Sequence, residues 1–240
     1  MRKPKMILFD NGQTLVNEQK FDGVKGTKAV LKHAVRNKHN YTPEEVQAVA
    51  DAIRVELGRG DITKRHLFQI EVPNHMFTAY LYGSLGIELS LTPQQIDRVF
   101  WDAASPGTPT DGIEDFLAFL KEQKIQTGVI SNISYCGEVV QERISRLLPE
   151  HEFAFILATS EYIFRKPNRR IFELALEMAD LKPEDVWYVG DSYACDVIGA
   201  RNAGIFPVWY TGALDTVWDG ETDALTVSRW EQLAQVILDA

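Results

Sequence analysis

Cysteine is scarce in this chain, with two residues, Cys136 and Cys195, among 240. They could form one bridge at most, so no disulfide framework is expected and a reducing, cytoplasmic setting is the default. Long apolar runs are missing as well. The longest uncharged one, Phe153–Ala158, falls far below the roughly 18 residues that a membrane-spanning helix needs. No membrane partner is therefore expected. The opening MRKPKMILFD carries basic residues but only a short apolar stretch and no cleavage site, so it does not read as a signal peptide. Positive charge is also in short supply. Against 34 Asp and Glu stand 25 Lys and Arg, for a net charge of −9, whereas a nucleic-acid binder needs a basic face. An anionic substrate would then require a local positive group that overcomes the overall field. The five histidines (His33, His39, His66, His75 and His151) show no metal-ligand spacing. Internal repeats and low-complexity segments are absent, and 45% hydrophobic with 25% charged residues excludes wholesale disorder.

What the chain does have is alternation. Met6–Phe9 is a continuous apolar run of the kind found in a buried parallel strand, and it ends in the polar turn Asp10–Thr14. From about residue 21 to residue 100 the texture is helical, with no convincing strand. Thr42-Pro43-Glu44-Glu45 and Thr92-Pro93-Gln94-Gln95 are helix starts, each with a capping residue, a proline at the first helical position and a capping-box Glu or Gln. The loop-like stretch Ser105–Gly112 reads as a hinge, and Gly23–Lys28 as a turn near it. Beyond the hinge, strand patterns at 127–130, 153–157, 186–189 and 206–209 alternate with helical ones at 113–120, 170–179 and 194–203. Such alternation predicts a parallel sheet with helices on both faces. The expected architecture is a Rossmann-like, three-layer α/β core from residues 1–16 and 108–240, interrupted by an α-helical cap over 17–107.

In an open parallel sheet, ligands bind beyond the carboxyl ends of the strands. Polar residues that directly follow strands are therefore the informative ones: Asp10, Ser131-Asn132, Lys166, and Asp191 with Asp196 five residues on. Singly, each is ordinary turn chemistry. Together they make a coherent set. Carboxylate oxygens suit a hard cation such as Mg²⁺, and a carboxylate beside it can attack an electrophile. The lysine supplies positive charge to a transferring phosphoryl group, and the serine donates a hydrogen bond to it.

The segments Phe9–Leu15 (FDNGQTL), Val129–Asn132 (VISN), Arg165–Leu176 (RKPNRRIFELAL) and Val189–Gly204 (VGDSYACDVIGARNAG) resemble, in order, the four motifs of the haloacid dehalogenase superfamily. The insert after the first motif resembles that superfamily's helical cap. The resemblance implies a Mg²⁺-dependent phosphatase acting on a small phosphorylated metabolite. Asp10 would be the nucleophile, forming an aspartyl-phosphate, with Ser131 and Lys166 as its catalytic partners. Mg²⁺ would be held by Asp10, Asp191 and the carbonyl of Gly12, with Asp196 in or near its outer shell. Asn132 and the amides of Asn11 and Gly12 would cradle the phosphate.

One departure stands out. The phosphatase form of the first motif is Asp-x-Asp-Gly-Thr, and its second aspartate protonates the leaving group and then activates water. Here that place holds Gly12, followed by Gln13 where glycine is expected. Loss of a positioned acid–base is worth about 10²–10⁴-fold in rate, or roughly 3–5 kcal/mol of barrier. Two further readings follow from the same departure: a weakly active or non-catalytic phosphoryl-binding protein, and a metal-free 2-haloacid dehalogenase. The second is disfavoured by the retained Asp191 and Asp196. A histidine of the cap could stand in for the missing acid. Cys195 reads as a small buried helix residue.

Overall fold

The computed structural model describes residues 2–59, 61–213 and 223–240. Its strands are β1 (Met6–Phe9), β2 (Val16–Glu18), β3 (Ala34–Asn37), β4 (Ile87–Leu89), β5 (Gly107–Pro109), β6 (Gln126–Ser131), β7 (Phe153–Ala158), β8 (Val186–Gly190), β9 (Phe206–Tyr210) and β10 (Leu225–Val227). The α-helices are α1 (Gly23–Leu31), α2 (Pro43–Glu56), α3 (Asn74–Ser84), α4 (Pro93–Ala104), α5 (Ile113–Glu122), α6 (Gly137–Leu147), α7 (Arg169–Ala179), α8 (Ile198–Asn202) and α9 (Trp230–Leu238).

Six strands form one sheet in the order β10-β9-β8-β1-β6-β7, every neighbouring pair parallel. β1 is thus a central strand with a partner on each side, which is why Met6–Phe9 is apolar throughout and fully buried. Its side chains alternate between faces. Ile7 and Phe9 enter the core under α5, α6 and α9, while Met6 and Leu8 enter the core under α7 and α8. On the first face Trp230 stacks on Tyr210, with ring centroids 4.3 Å apart, and on Phe116 at 5.1 Å. Three layers result, helices on sheet on helices.

A separate core occupies the insert. Val30, Val46, Ala50, Leu81, Tyr82, Leu85, Ile87 and Ile96 pack together, and every member lies between residues 30 and 96. Both sequence-signalled helix starts carry reciprocal capping boxes, Thr42 with Glu45 and Thr92 with Gln95.

Three local expectations are corrected. The segment around residues 21–100 is not wholly helical, because β3 and β4 pair antiparallel across a bulge. They are short and half-exposed, so neither gives a clear alternation. The loop-like stretch Ser105–Gly112 contains β5, which pairs antiparallel with β2 into a two-stranded ribbon at the join between insert and sheet. Gly23–Lys28 is not a turn but the start of α1, where Asp22 caps the helix by accepting from the Lys25 N–H.

Candidate active site

Strand register sets the site. Phe9 lies level with Val129 on β6 and Val189 on β8. Asp10, the next residue, therefore leaves the sheet between Ser131 at the end of β6 and Asp191 just past β8. Its own N–H donates to the Val189 carbonyl at 2.8 Å, a last rung of parallel pairing that fixes where its carboxylate starts.

Lys166 closes the cluster. Its Nζ donates to Asp10 Oδ1 at 2.7 Å, to Asp196 Oδ1 at 2.7 Å and to the Tyr188 hydroxyl at 2.6 Å, so all three ammonium hydrogens are used. The side chain is almost wholly buried. Burial alone would push this ammonium down, but the carboxylates of Asp10 and Asp196 outweigh it and hold it above its usual range. Asn132 positions it: Nδ2 donates to the Lys166 carbonyl and Oδ1 accepts from the Lys166 N–H, each at 2.8 Å. One N–H and the oxygen of the Asn132 amide thus serve the lysine's backbone. Tyr188 is a site residue that the strand-end argument missed, since it lies inside β8 and reads as a core aromatic.

Asp196 stands on a π-helical turn, Tyr193–Val197, that opens the stretch expected to be one regular helix. The widened turn lets Asp196 Oδ2 accept from the Ser192 N–H at 2.9 Å while Oδ1 meets Lys166 and Tyr188. The approach is close enough that a Cβ on Gly190 would come within 2.4 Å of the Asp196 carboxyl carbon, so only glycine fits there. Through Oδ1, Asp196 orients Lys166 as well as facing Asp10 and Asp191. Asp191 is placed through its backbone, whose carbonyl accepts from the Trp209 indole N–H at 2.8 Å.

Ligand atoms of Asp10, Asp191 and Asp196 all lie within 4.8 Å of one another. Burial, then the charges of Asp10 and Asp196, push the Asp191 carboxyl up to about 9. Burial, and then Asp10, push Asp196 up to about 6 despite Lys166. Three carboxyl groups share one ammonium in a dry place, so ionising all of them takes more positive charge than Lys166 supplies. That donor set fits a hard divalent cation such as Mg²⁺. Ser131 is buried at the end of β6. Asn11 is buried in the loop after Asp10, and its Oδ1 has no hydrogen-bond partner. Cys195 lies beside this cluster, but burial and then Asp196 raise its thiol, which suits packing and not nucleophilic attack.

Beside the strand ends lies a cavity of about 290 Å³ between the insert and the sheet. Phe21, Phe77, Phe100 and Tyr135 line it, with Arg54 and Asn74 among its polar groups. Asn132 and Arg165, the neighbours of Ser131 and Lys166, form its floor on the sheet side. Glu71 joins the two sides. It is buried, and it pairs with Arg59 at 3.1 Å and Arg165 at 3.2 Å and accepts from the Thr159 hydroxyl at 2.9 Å.

Comparison with known proteins agrees with this geometry. A family profile described as haloacid dehalogenase-like hydrolase matches residues 4–204. Pyrimidine 5'-nucleotidase YjjG of Escherichia coli is 26% identical over 236 residues, 96% of both chains. Glyceraldehyde 3-phosphate phosphatase of Methanothermobacter thermautotrophicus is 33% identical over 128 residues, which is 50% of this chain and 55% of that protein. The chain thus spans about half the length of several curated relatives and nearly all of another. Among solved structures, a 2-haloacid dehalogenase from Pseudomonas syringae superposes with a TM-score of 0.66 at 21% identity, covering 98% of this chain and 99% of that one. A HAD phosphatase from Thermococcus onnurineus gives 0.64 at 17% identity, with 97% of each chain covered. These likenesses establish the shared fold. With four motifs at adjacent strand ends and a profile that spans most of its length, the chain belongs to the haloacid dehalogenase-like hydrolase family.

Proposed function

We propose that this hydrolase is a Mg²⁺-dependent phosphatase of small phosphorylated metabolites, working through an aspartyl-phosphate on Asp10. The observation that carries the reading is the Asp10 carboxylate, held by a buried lysine at 2.7 Å inside a cluster of three carboxylates. A metal-free attack on carbon has no use for a cluster whose full ionisation needs a further cation. Residues 1–16 and 108–240 form the hydrolase core in this reading, and residues 17–107 form its cap. The modest cavity under the cap fits a small substrate.

Asp10 and Asp191, with the carbonyl of Gly12, would hold Mg²⁺ beside Asp196, and the ion would supply positive charge to the phosphoryl oxygens when bound. The chain's own residues do the rest. An Asp10 carboxylate oxygen attacks phosphorus, the ester P–O bond breaks, and the departing oxygen takes up a proton. Lys166 keeps Asp10 oriented and offsets the added charge. In this reading Ser131 and the N–H groups of Asn11 and Gly12 donate to the phosphoryl oxygens. Water then attacks phosphorus, the bond to Asp10 breaks, and phosphate leaves with the carboxylate regenerated.

The test is phosphate release from a panel of phosphomonoesters, with Mg²⁺ or with EDTA, and halide release from 2-haloacids alongside. Mg²⁺-dependent phosphate release that is lost in a folded Asp10→Asn protein is expected. Halide release instead, or an Asp10→Asn protein as active as the parent, would overturn the reading.

A further inference from the structure

Position 12 lacks the carboxylate that would manage protons, yet a carboxylate is there. Were a Cβ placed on Gly12, its nearest neighbour would be Glu18 Oε2 at 3.3 Å, followed by Glu18 Cδ at 3.7 Å. Chain neighbours aside, no other heavy atom of the described residues lies within 4 Å of that point. The room left by the missing side chain is therefore taken by the end of Glu18, which reaches in from β2. No histidine atom lies within 4 Å of that point.

Both departures from the first motif serve this arrangement. Gly12 has no side chain to obstruct the incoming carboxylate. Gln13 adopts a left-handed φ of 59°, a conformation where glycine is usual. Its side chain accounts for the exception, because Nε2 donates to the Glu18 carbonyl at 2.8 Å. The loop that carries Asp10 and Gly12 is thereby tied to the residue whose carboxylate faces position 12. From the other side, the Trp101 indole N–H donates to Glu18 Oε1 at 3.1 Å, which leaves Oε2 as the oxygen directed at Gly12. Arg143, buried on α6, stands 3.7 Å from Oε1. Glu18 lies outside the cluster of Asp10, Asp191 and Asp196, so it does not compete for a cation there.

We propose that Glu18 is the catalytic acid–base of this hydrolase, supplying from β2 the carboxylate that position 12 lacks. The inference rests on the phosphatase reading of Asp10. In the first half-reaction the protonated Glu18 carboxyl gives its proton to the departing ester oxygen as the P–O bond breaks and Asp10 becomes phosphorylated. In the second, the Glu18 carboxylate takes a proton from the attacking water as oxygen bonds to phosphorus and the bond to Asp10 breaks. Phosphate leaves, and Glu18 is protonated for the next cycle.

The two halves make different demands on the substrate. The p-nitrophenolate leaving group needs no proton, but hydrolysis of the Asp10 intermediate still needs a base. Stopped-flow kinetics with p-nitrophenyl phosphate in Mg²⁺ therefore isolate the second half. Glu18→Gln keeps the side chain's length and an oxygen for Trp101. It is expected to release one p-nitrophenol per site in a fast burst, then turn over about 10²–10⁴-fold more slowly than the parent. Adding Gly12→Asp to Glu18→Ala, which clears the room that Glu18 fills, returns the carboxylate to the loop and should turn over at least tenfold faster than Glu18→Ala alone. Glu18→Asp, which withdraws the charge by one methylene, is a second probe and should also show the burst with a slowed steady state. Melting curves verify that each protein is folded. A folded Glu18→Gln or Glu18→Asp protein that turns over within about threefold of the parent overturns the assignment while leaving the phosphatase reading intact. A parent protein that releases no p-nitrophenol at all overturns the phosphatase reading, and the role of Glu18 with it.

Discussion

Lys166 satisfies its three ammonium hydrogens with two carboxylates and a phenol, and it is the only cation in direct contact with Asp10 among the described residues. Replacing it with methionine keeps much of the volume but leaves Asp10 and Asp196 facing each other in a buried place. Removing one partner of a buried ion pair costs about 3–5 kcal/mol, because the remaining charge is left without compensation. Lys166→Met is therefore expected to lose stability of that order, measured by urea unfolding. A loss below about 1 kcal/mol would show that water already screens the cluster. Residues of this kind were open to the sequence only in part. Asp10, Ser131 and Asp191 announce themselves because each stands at the end of an apolar run, and Lys166 because it falls in the loop between a strand pattern and a helical one. Tyr188 and Glu18 do not, since one lies within a buried strand and the other in a three-residue strand with no apolar pattern. Their partners lie 22 and 83 positions away in the chain, for Tyr188 and Lys166 and for Glu18 and Trp101. Only the folded chain brings these together.

Within the insert, helices pack closely. Gly26 on α1 faces α4 so tightly that a Cβ there would lie 2.7 Å from the Phe100 ring and 2.9 Å from the Ala104 methyl. A larger residue must part the two helices, and overpacking of this kind costs about 1–3 kcal/mol. Gly26→Leu is thus expected to lower the unfolding midpoint. Because α4 also carries Trp101, it should disturb indole fluorescence in the native state as well. An unchanged midpoint would mean that α1 and α4 are free to separate. Helices with strong start signals were legible at this scale, since Thr42 and Thr92 are each followed at the right spacing by a side chain that returns the hydrogen bond. The ribbon of β2 and β5 was not. Ser105–Gly112 is rich in the residues that mark loops, and three residues per strand are too few for alternation to show. Pairing with Val16–Glu18, far off in the chain, makes β5 a strand.

Over the whole molecule, net charge and the buried cluster act in the same direction. The Asp191 carboxyl, raised to about 9, holds a proton in the folded protein that the unfolded chain gives up near its ordinary value of 3.8. Its contribution to stability is complete below that value and is lost as pH rises through about 9. Asp196, raised to about 6, acts with the same sign over a narrower range. Without a divalent cation, melting temperature should therefore decline from pH 5 to pH 9. Mg²⁺ at a hundred times its dissociation constant should raise the midpoint at pH 8 by roughly 5–10 °C and flatten that decline. Scanning fluorimetry in Mg²⁺ or EDTA across this range provides the check, and Asp191→Asn should remove most of the difference. An equal slope in both conditions would overturn the cation assignment.

The central place of β1 also bears on how the molecule comes to exist. Its four apolar residues are made before its neighbours β6 and β8, which begin only at residues 126 and 186. The bond between Asp10 and Lys166 spans 156 positions. Until those later segments are translated, Met6–Phe9 is a strand with two bare edges and no sheet to join, while the insert, with an apolar core of its own, is complete well before them. During synthesis the strands that flank β1 can join it only after the whole insert has been made.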